Sequence, residues 1–287
     1  MLTGDERLDA YARLIVRVGV NLQPGQELGV VALLEHAPLV RAIARVAYAE
    51  GARYVDVLYT DPHVRRALIE TGPDESLDWS PPWLIARLER QTDMQSARIA
   101  IVGDPEPELL ADLDPVRVGR ARMSALVEAS LDQATARRVS WTIAAYPNEG
   151  WARAVFGEAD VERLWAAVAT AVRLDEPDPV AAWRKHVDRL SERAVQLTER
   201  RFDAVRFRGP GTDLTVGLLP GARWESAKVE TLWGQAHVPN IPTEEIFTTP
   251  DPRRTEGSVR STRPLGLLGT IVRDLELRFE GGRGSRS

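Results

Sequence analysis

The chain has 287 residues, 44% of them hydrophobic and 28% charged, with a formal net charge of -5. That length supports a substantial core at the size where one core commonly divides into two. Its apolar runs are too short for a helical membrane span, and acids interspersed among the arginines leave no basic stripe for nucleic acid. The absence of cysteine excludes disulfides, thiolate metal sites and cysteine nucleophiles together, so any metal must rest on carboxylates and on the 4 histidines.

The start, MLTGDERLDAYA, carries acids early and lacks the basic and apolar regions of a signal peptide, so a cytoplasmic location is expected. From Arg7 to Val20, Leu8, Tyr11, Leu14, Ile15 and Val18 recur at helical spacing, and N-L-Q-P-G-Q then supplies turn residues. Leu28 to Leu34 reads as a buried strand, Pro38 to Glu50 as a helix stopped at Gly51, and Tyr54 to Tyr59 as the next strand. Strand, helix and strand in close succession predict a parallel crossover. Helices over His63 to Glu70 and Pro82 to Arg90, a strand over Ile99 to Gly103, a helix over Val116 to Ala134 and a strand over Val139 to Ala145 continue the alternation.

Two further helices are expected over Asp160 to Leu174 and Asp178 to Arg200, separated by the helix-breaking D-E-P-D-P. Beyond Phe202 the period changes to two. D-A-V-R-F-R, G-P-G-T and D-L-T-V-G-L form a hairpin signature, and the later short strands are punctuated by Pro and Gly. Arg273 to Glu280 alternates Leu275, Leu277 and Phe279 with charged residues, Gly281-Gly282 offers a turn, and R-G-S-R-S follows. The expectation there is a strand lacking its return partner and a chain truncated at its C-terminus. The fold class is α/β: a mainly parallel α/β lobe over residues 1–175, then an incomplete β-rich, α+β lobe over 176–287.

The chemistry-bearing residues concentrate in H-V-P-N-I-P-T-E-E-I-F-T-T-P-D, His237 to Asp251. Proline-limited turns flank two adjacent carboxylates, Glu244 and Glu245, which as a strand would point to opposite faces. His237 stands upstream on the same arm. The other histidines, His36, His63 and His186, have no H-E-x-x-H spacing and read as structural. Gly103 to Asp114 is an acid-rich loop after a strand, with Asp112 or Asp114 placed to cap the next helix. Trp141, Tyr146 and Trp151 read as core or interface anchors. No nucleophile elbow, dinucleotide fingerprint or phosphate loop occurs.

Several strings occur in a fixed order: L-I-V-R-V-G-V-N-L-Q-P-G-Q, V-A-Y-A-E-G-A, W-T-I-A-A-Y-P, R-F-R-G-P-G-T-D-L-T-V-G-L, H-V-P-N-I-P-T-E-E-I-F-T-T-P-D and D-L-E-L-R-F-E-G-G. Over most of its length the chain thereby resembles the M29 family of thermophilic, metal-dependent aminopeptidases. The resemblance implies release of N-terminal amino acids, leucine among them, from peptide substrates by water activated at two divalent metal ions (Zn, Co or Mn), in a homodimer. It implies Glu245 as a metal ligand, with Glu244 the alternative; His237, eight residues upstream, reads from its position as a surface or supporting histidine. The family's other ligands and its catalytic tyrosine follow the point matched by Phe279, so no catalytic residue is assigned and an incomplete, inactive site is expected. Ring-cleaving dioxygenases with a single iron share a related glutamate motif and form the alternative reading. A catalytically dead dimerising fragment is the third.

Overall fold

The structure, a computed structural model, describes residues 4–267 and 270–285. Helix α1 (Gly4–Leu14) runs into a π turn over Ile15–Gly19, followed by β1 (Glu27–Leu33), α2 (Ala37–Ala49), β2 (Tyr54–Thr60), α3 (Pro62–Thr71) and α4 (Pro82–Asp93). Next come β3 (Ala97–Val102), α5 (Pro115–Arg120), α6 (Ser124–Thr135), β4 (Ser140–Ala145), α7 (Glu149–Phe156), α8 (Val161–Ala171) and α9 (Pro179–Arg200). The strands β5 (Ala204–Gly209), β6 (Thr212–Leu218), β7 (Val229–Glu230), β8 (Ala236–His237), β9 (Asn240–Ile241) and β10 (Pro250–Arg260) follow. The last are β11 (Leu265–Leu267), β12 (Thr270–Val272), β13 (Glu276–Glu280) and β14 (Arg283–Ser285).

Two compact units result, and the chain passes between them more than once: residues 1–186 with 228–243, and residues 187–227 with 244–287. The first is built on a five-stranded sheet, ordered β2-β1-β3-β4-β9, in which every pairing is parallel. Its strands are near-continuous apolar runs because helices must cover a parallel sheet. Leu28 and Val30 of β1 and Ile99 and Ile101 of β3 are buried with Tyr11, Leu14 and Ile15 of the opening helix and Leu39 and Ile43 of α2. The second unit carries an antiparallel sheet ordered β14-β13-β10-β6-β5. Val187, Leu190 and Ala194 of α9, with Leu218 and Ala227, are its buried apolar residues among those described. A parallel α/β part and a β-rich part are thus present, as the sequence predicts.

The differences have local causes. The single helix expected over Val116 to Ala134 is two, because Met123 takes a left-handed conformation (φ 49°). The second helix gets its N-terminal acceptors from elsewhere in the chain: Ser124 N donates to Asp78 Oδ1 at 2.8 Å and Leu126 N to Ser80 Oγ at 3.3 Å. Such long-range capping leaves no trace in local periodicity. Helix α7 was not anticipated, although Asn148 caps it by accepting from Trp151 N at 2.9 Å and Gly157 (φ 79°) ends it. The strand expected to lack a return partner has one. β14 pairs antiparallel with β13 across Gly281 and Gly282, both with positive φ, and β13 pairs on its other side with β10.

The segment that precedes the acidic pair is held on the first sheet by buried hydrogen bonds. Gln235 Nε2 reaches the carbonyls of Val20 (3.0 Å) and Asn21 (2.9 Å), and Asn21 Nδ2 donates to Ala236 O at 2.8 Å. Val238 N donates to Gly19 O (2.8 Å), Thr142 Oγ1 to Val238 O (2.7 Å), and Ile143 N to Pro239 O (2.7 Å). Only glycine permits this approach at residue 19, where a Cβ would stand 2.9 Å from Thr142 Cγ2.

Thr142→Val keeps the shape of β4 but leaves the buried Val238 carbonyl short of its side-chain donor. It should cost about 1–3 kcal/mol of stability, read as a lowered denaturation midpoint at unchanged slope.

Candidate metal-binding segment

The acidic pair follows β9, whose Asn240 and Ile241 pair in parallel with Ile143 and Ala144 of β4. Thr243 is buried, and its carbonyl accepts a hydrogen bond from His186 Nε2 at 2.9 Å. The acceptor fixes the proton on that nitrogen. His186 lies edge-on to the fully buried Trp183, with centroids 5.3 Å apart, and Trp183 Nε1 donates to Val172 O at 2.8 Å. A rigid anchor therefore ends one residue before Glu244.

Glu244 and Glu245 are both exposed and lie in irregular backbone rather than in a strand. The strict alternation expected of them does not apply, because no ladder runs through residues 243–246. Order returns at Phe247, which exchanges backbone hydrogen bonds with Glu225 at 2.8 and 3.0 Å. Glu244 Oε2 is 3.9 Å from Arg189 Nη2 of α9, an exposed pair that sets charge balance more than stability. Sequence reasoning did not single out Arg189 or assign His186 its carbonyl. The His186–Thr243 bond spans 57 positions, and no periodic signal links residues so far apart.

His237 is the other residue brought forward by the sequence. It sits in β8, opposite Val229 of β7, and belongs to the first unit, whereas Glu244 and Glu245 belong to the second. Its side chain is buried, neither ring nitrogen has a hydrogen-bond partner, and the Trp141 ring lies 6.5 Å away. Burial pushes its pKa down to about 4, against a smaller opposing influence of the Gln235 backbone, so the ring is neutral at ordinary pH. A neutral imidazole with both nitrogens unspent keeps its hydrogen-bonding capacity for a partner.

Several acids of the loop after β3 are engaged in holding the fold. Asp114 caps α5 by accepting from Val116 N at 2.8 Å. Asp112 takes a bidentate bond from Arg66 (2.6 and 2.7 Å), which holds its pKa down to about 2. Glu106 engages His63 at 2.7 Å. His36 is buried and satisfied, accepting from Leu33 N and donating to Gly103 O. Tyr146 packs edge-on against Trp165 at 5.7 Å, in keeping with an anchoring role.

Among the described residues, no three or more His, Asp or Glu side chains are gathered as a metal centre requires. Residues 1–3, 268–269 and 286–287 add none, being Met, Leu, Thr, Leu, Gly, Arg and Ser. The carboxylates at Glu244 and Glu245 suit a hard or borderline divalent cation in kind. By themselves they do not complete its shell.

The fold thus provides a parallel α/β unit, an antiparallel β unit and two exposed carboxylates flanked by anchored backbone, and the class of protein follows from its likeness to known families. The chain belongs to the M29 family of thermophilic metalloproteases, whose model matches residues 4–284. It is 42% identical to aminopeptidase T of Thermus thermophilus over 281 residues, which cover 96% of this chain and 69% of that protein. It is 34% identical to aminopeptidase AmpS of Bacillus subtilis over 284 residues, 97% of this chain and 69% of the relative. The solved structure of wild-type AmpT from Thermus thermophilus superposes with a TM-score of 0.90 at 40% identity, covering 99% of this chain and 71% of that one.

The buried imidazole makes a prediction. The unfolded chain protonates His237 near pH 6.5 and the folded chain only near pH 4, so the unfolded state binds more protons between those values and stability falls as pH drops through them. His237→Phe removes the two unpartnered nitrogens at similar shape. At pH 5 it should be more stable than the parent chain by about 1–2 kcal/mol, with the gap narrowing by pH 7.5, in denaturant titrations at both pH values.

Proposed function

We propose that this chain is the framework of a metal-dependent aminopeptidase that removes N-terminal residues, leucine among them, from peptides in the cytoplasm as a homodimer. The observation that carries the reading is the likeness along almost the whole chain to proteins named aminopeptidases. The P-T-E-E-I-F-T segment stands on an anchored arm within that match. The ring-cleaving alternative gains no support, since the relatives found are aminopeptidases. Among the described residues, no helix is long and apolar enough to cross a membrane.

Bound divalent metal, one ion or two, would supply an acidified water and polarise the scissile carbonyl. This chain's share is narrower. Glu245 is the assigned donor, with Glu244, beside the Arg189 guanidinium, as the alternative. His186 fixes the carbonyl just before them, which limits how far the arm can shift. His237 offers a neutral ring for a supporting hydrogen bond. Among the described residues, Glu244 and Glu245 are not joined by enough His, Asp or Glu side chains to complete a metal shell.

Hydrolysis of a leucyl anilide, with cobalt or zinc added and a chelator as control, tests the activity. Where the donor set is complete, turnover that needs metal is the expected result, and turnover indifferent to the chelator would overturn the metal dependence; the donors among the described residues are too few to sustain it by themselves. Zinc titration tests the donor: Glu245→Gln should weaken binding at least about tenfold, as loss of one charged ligand does, while Glu244→Gln stays within about twofold. The reverse order would move the assignment to Glu244.

A further inference from the structure

The second unit contains a pocket of about 450 Å³ that the metal-binding role does not use. It is walled by the C-terminal end of α9, the residues leading into β5, and the turn after β6. That volume suits a small organic ligand rather than a single ion. Three charged residues line it: Arg201, Asp203 and Arg223. Asp203 is already engaged, because Arg254 grips both its oxygens, Nη1 to Oδ1 at 2.9 Å, and holds its pKa below the usual carboxylate range. Arg201 and Arg223 have no carboxylate within ion-pair distance among the described residues. The pocket's unspent charge is therefore positive. Its remaining wall includes Phe202, Leu218 and Leu219, so a few apolar side chains stand beside the arginines in a lining that is polar for the larger part.

This pocket also adjoins the acidic arm within the same unit. Leu219 N bonds to Thr249 O at 3.4 Å, Thr248 Oγ1 donates to Arg223 O at 2.7 Å, and Glu225 pairs with Phe247. The turn carrying Arg223 is thus tied to the stretch that begins two residues after Glu245. Guanidinium groups bind carboxylates through paired, charge-assisted hydrogen bonds, and the neighbouring apolar wall suits an aliphatic side chain. A free carboxylate next to an aliphatic side chain is the C-terminal residue of a peptide.

We propose that this pocket binds the C-terminal carboxylate of short peptides through Arg201 and Arg223, with the residue's side chain against Phe202 and Leu219. The identity of the ligand as a peptide rests on the peptidase reading above. The pocket would favour peptides with a free C-terminal carboxylate over amidated ones.

Isothermal titration of the metal-stripped 287-residue chain with the peptide Leu-Gly-Leu and with its C-terminal amide tests this without turnover. The free acid should bind about tenfold more tightly than the amide, the range of one good charge-assisted contact. The double variant Arg201→Gln, Arg223→Gln should abolish that preference, and the corresponding pair of lysines should restore part of it. Equal binding of acid and amide overturns the proposal. So does a folded glutamine variant that keeps the preference, which would leave Arg201 merely answering the last carbonyls of α9. Inorganic phosphate binding more tightly than the free acid would replace the peptide carboxylate with a phosphate. A Glu245→Gln chain should retain the acid preference, so failure of the metal assignment and failure of this pocket give different results.

Discussion

The structure turns on the return of residues 235–243 to the first sheet after the chain has entered the second unit. A buried strand edge must find partners for its backbone groups. Here the carbonyls of Val20 and Asn21 receive Gln235, the Gly19 carbonyl receives Val238, and the Val238 carbonyl receives Thr142. Removing one partner leaves the others unsatisfied, and the buried Gln235 side chain also meets Gln26 and Ser140, so the junction is a polar network. The π turn over Ile15–Gly19 brings the receiving carbonyls into place, and the missing Cβ of Gly19 lets β4 pass close by.

That return has a functional consequence. The arm carrying the acidic pair is fixed on one side by the parallel pairing of β9 and the His186 bond to Thr243. On the other side it is fixed by the exchange between Phe247 and Glu225. Between these anchors only residues 244–246 are left without ladder bonds, and they include both carboxylates. For the donor proposed at Glu245, anchored flanks on both sides would lower the ordering cost of binding.

The charges are disposed differently in the regions of interest. On the loop after β3, acids are spent on arginine or on helix caps, as Asp112 on Arg66 and Asp114 on Val116 N show. In the pocket beside β6 the acid is spent and two arginines are left over. At His237 a titratable ring is buried with neither charge nor hydrogen bond to balance it. Unspent capacity of this kind, more than charge density, separates the regions suited to a ligand from those that only hold the fold.

Local pattern and a family likeness were enough to determine much of this protein. The apolar runs of β1, β3 and β4 and the helical spacing of α1 and α2 identify a parallel α/β unit, because period and burial are tied by backbone geometry. The G-P-G-T turn between alternating strands gives the β5–β6 hairpin, and the ordered strings, P-T-E-E-I-F-T among them, carry the family. Local pattern could not show the break at Met123, where caps come from Asp78 and Ser80, or the pairing of β14 with β13, which depends on a three-residue strand. Only the tertiary structure decided that His186 holds Thr243, that Arg189 faces Glu244, and that Asp203 is claimed by Arg254. Those outcomes join residues far apart in sequence, and they are settled by which partners remain for buried or charged groups once the chain has packed.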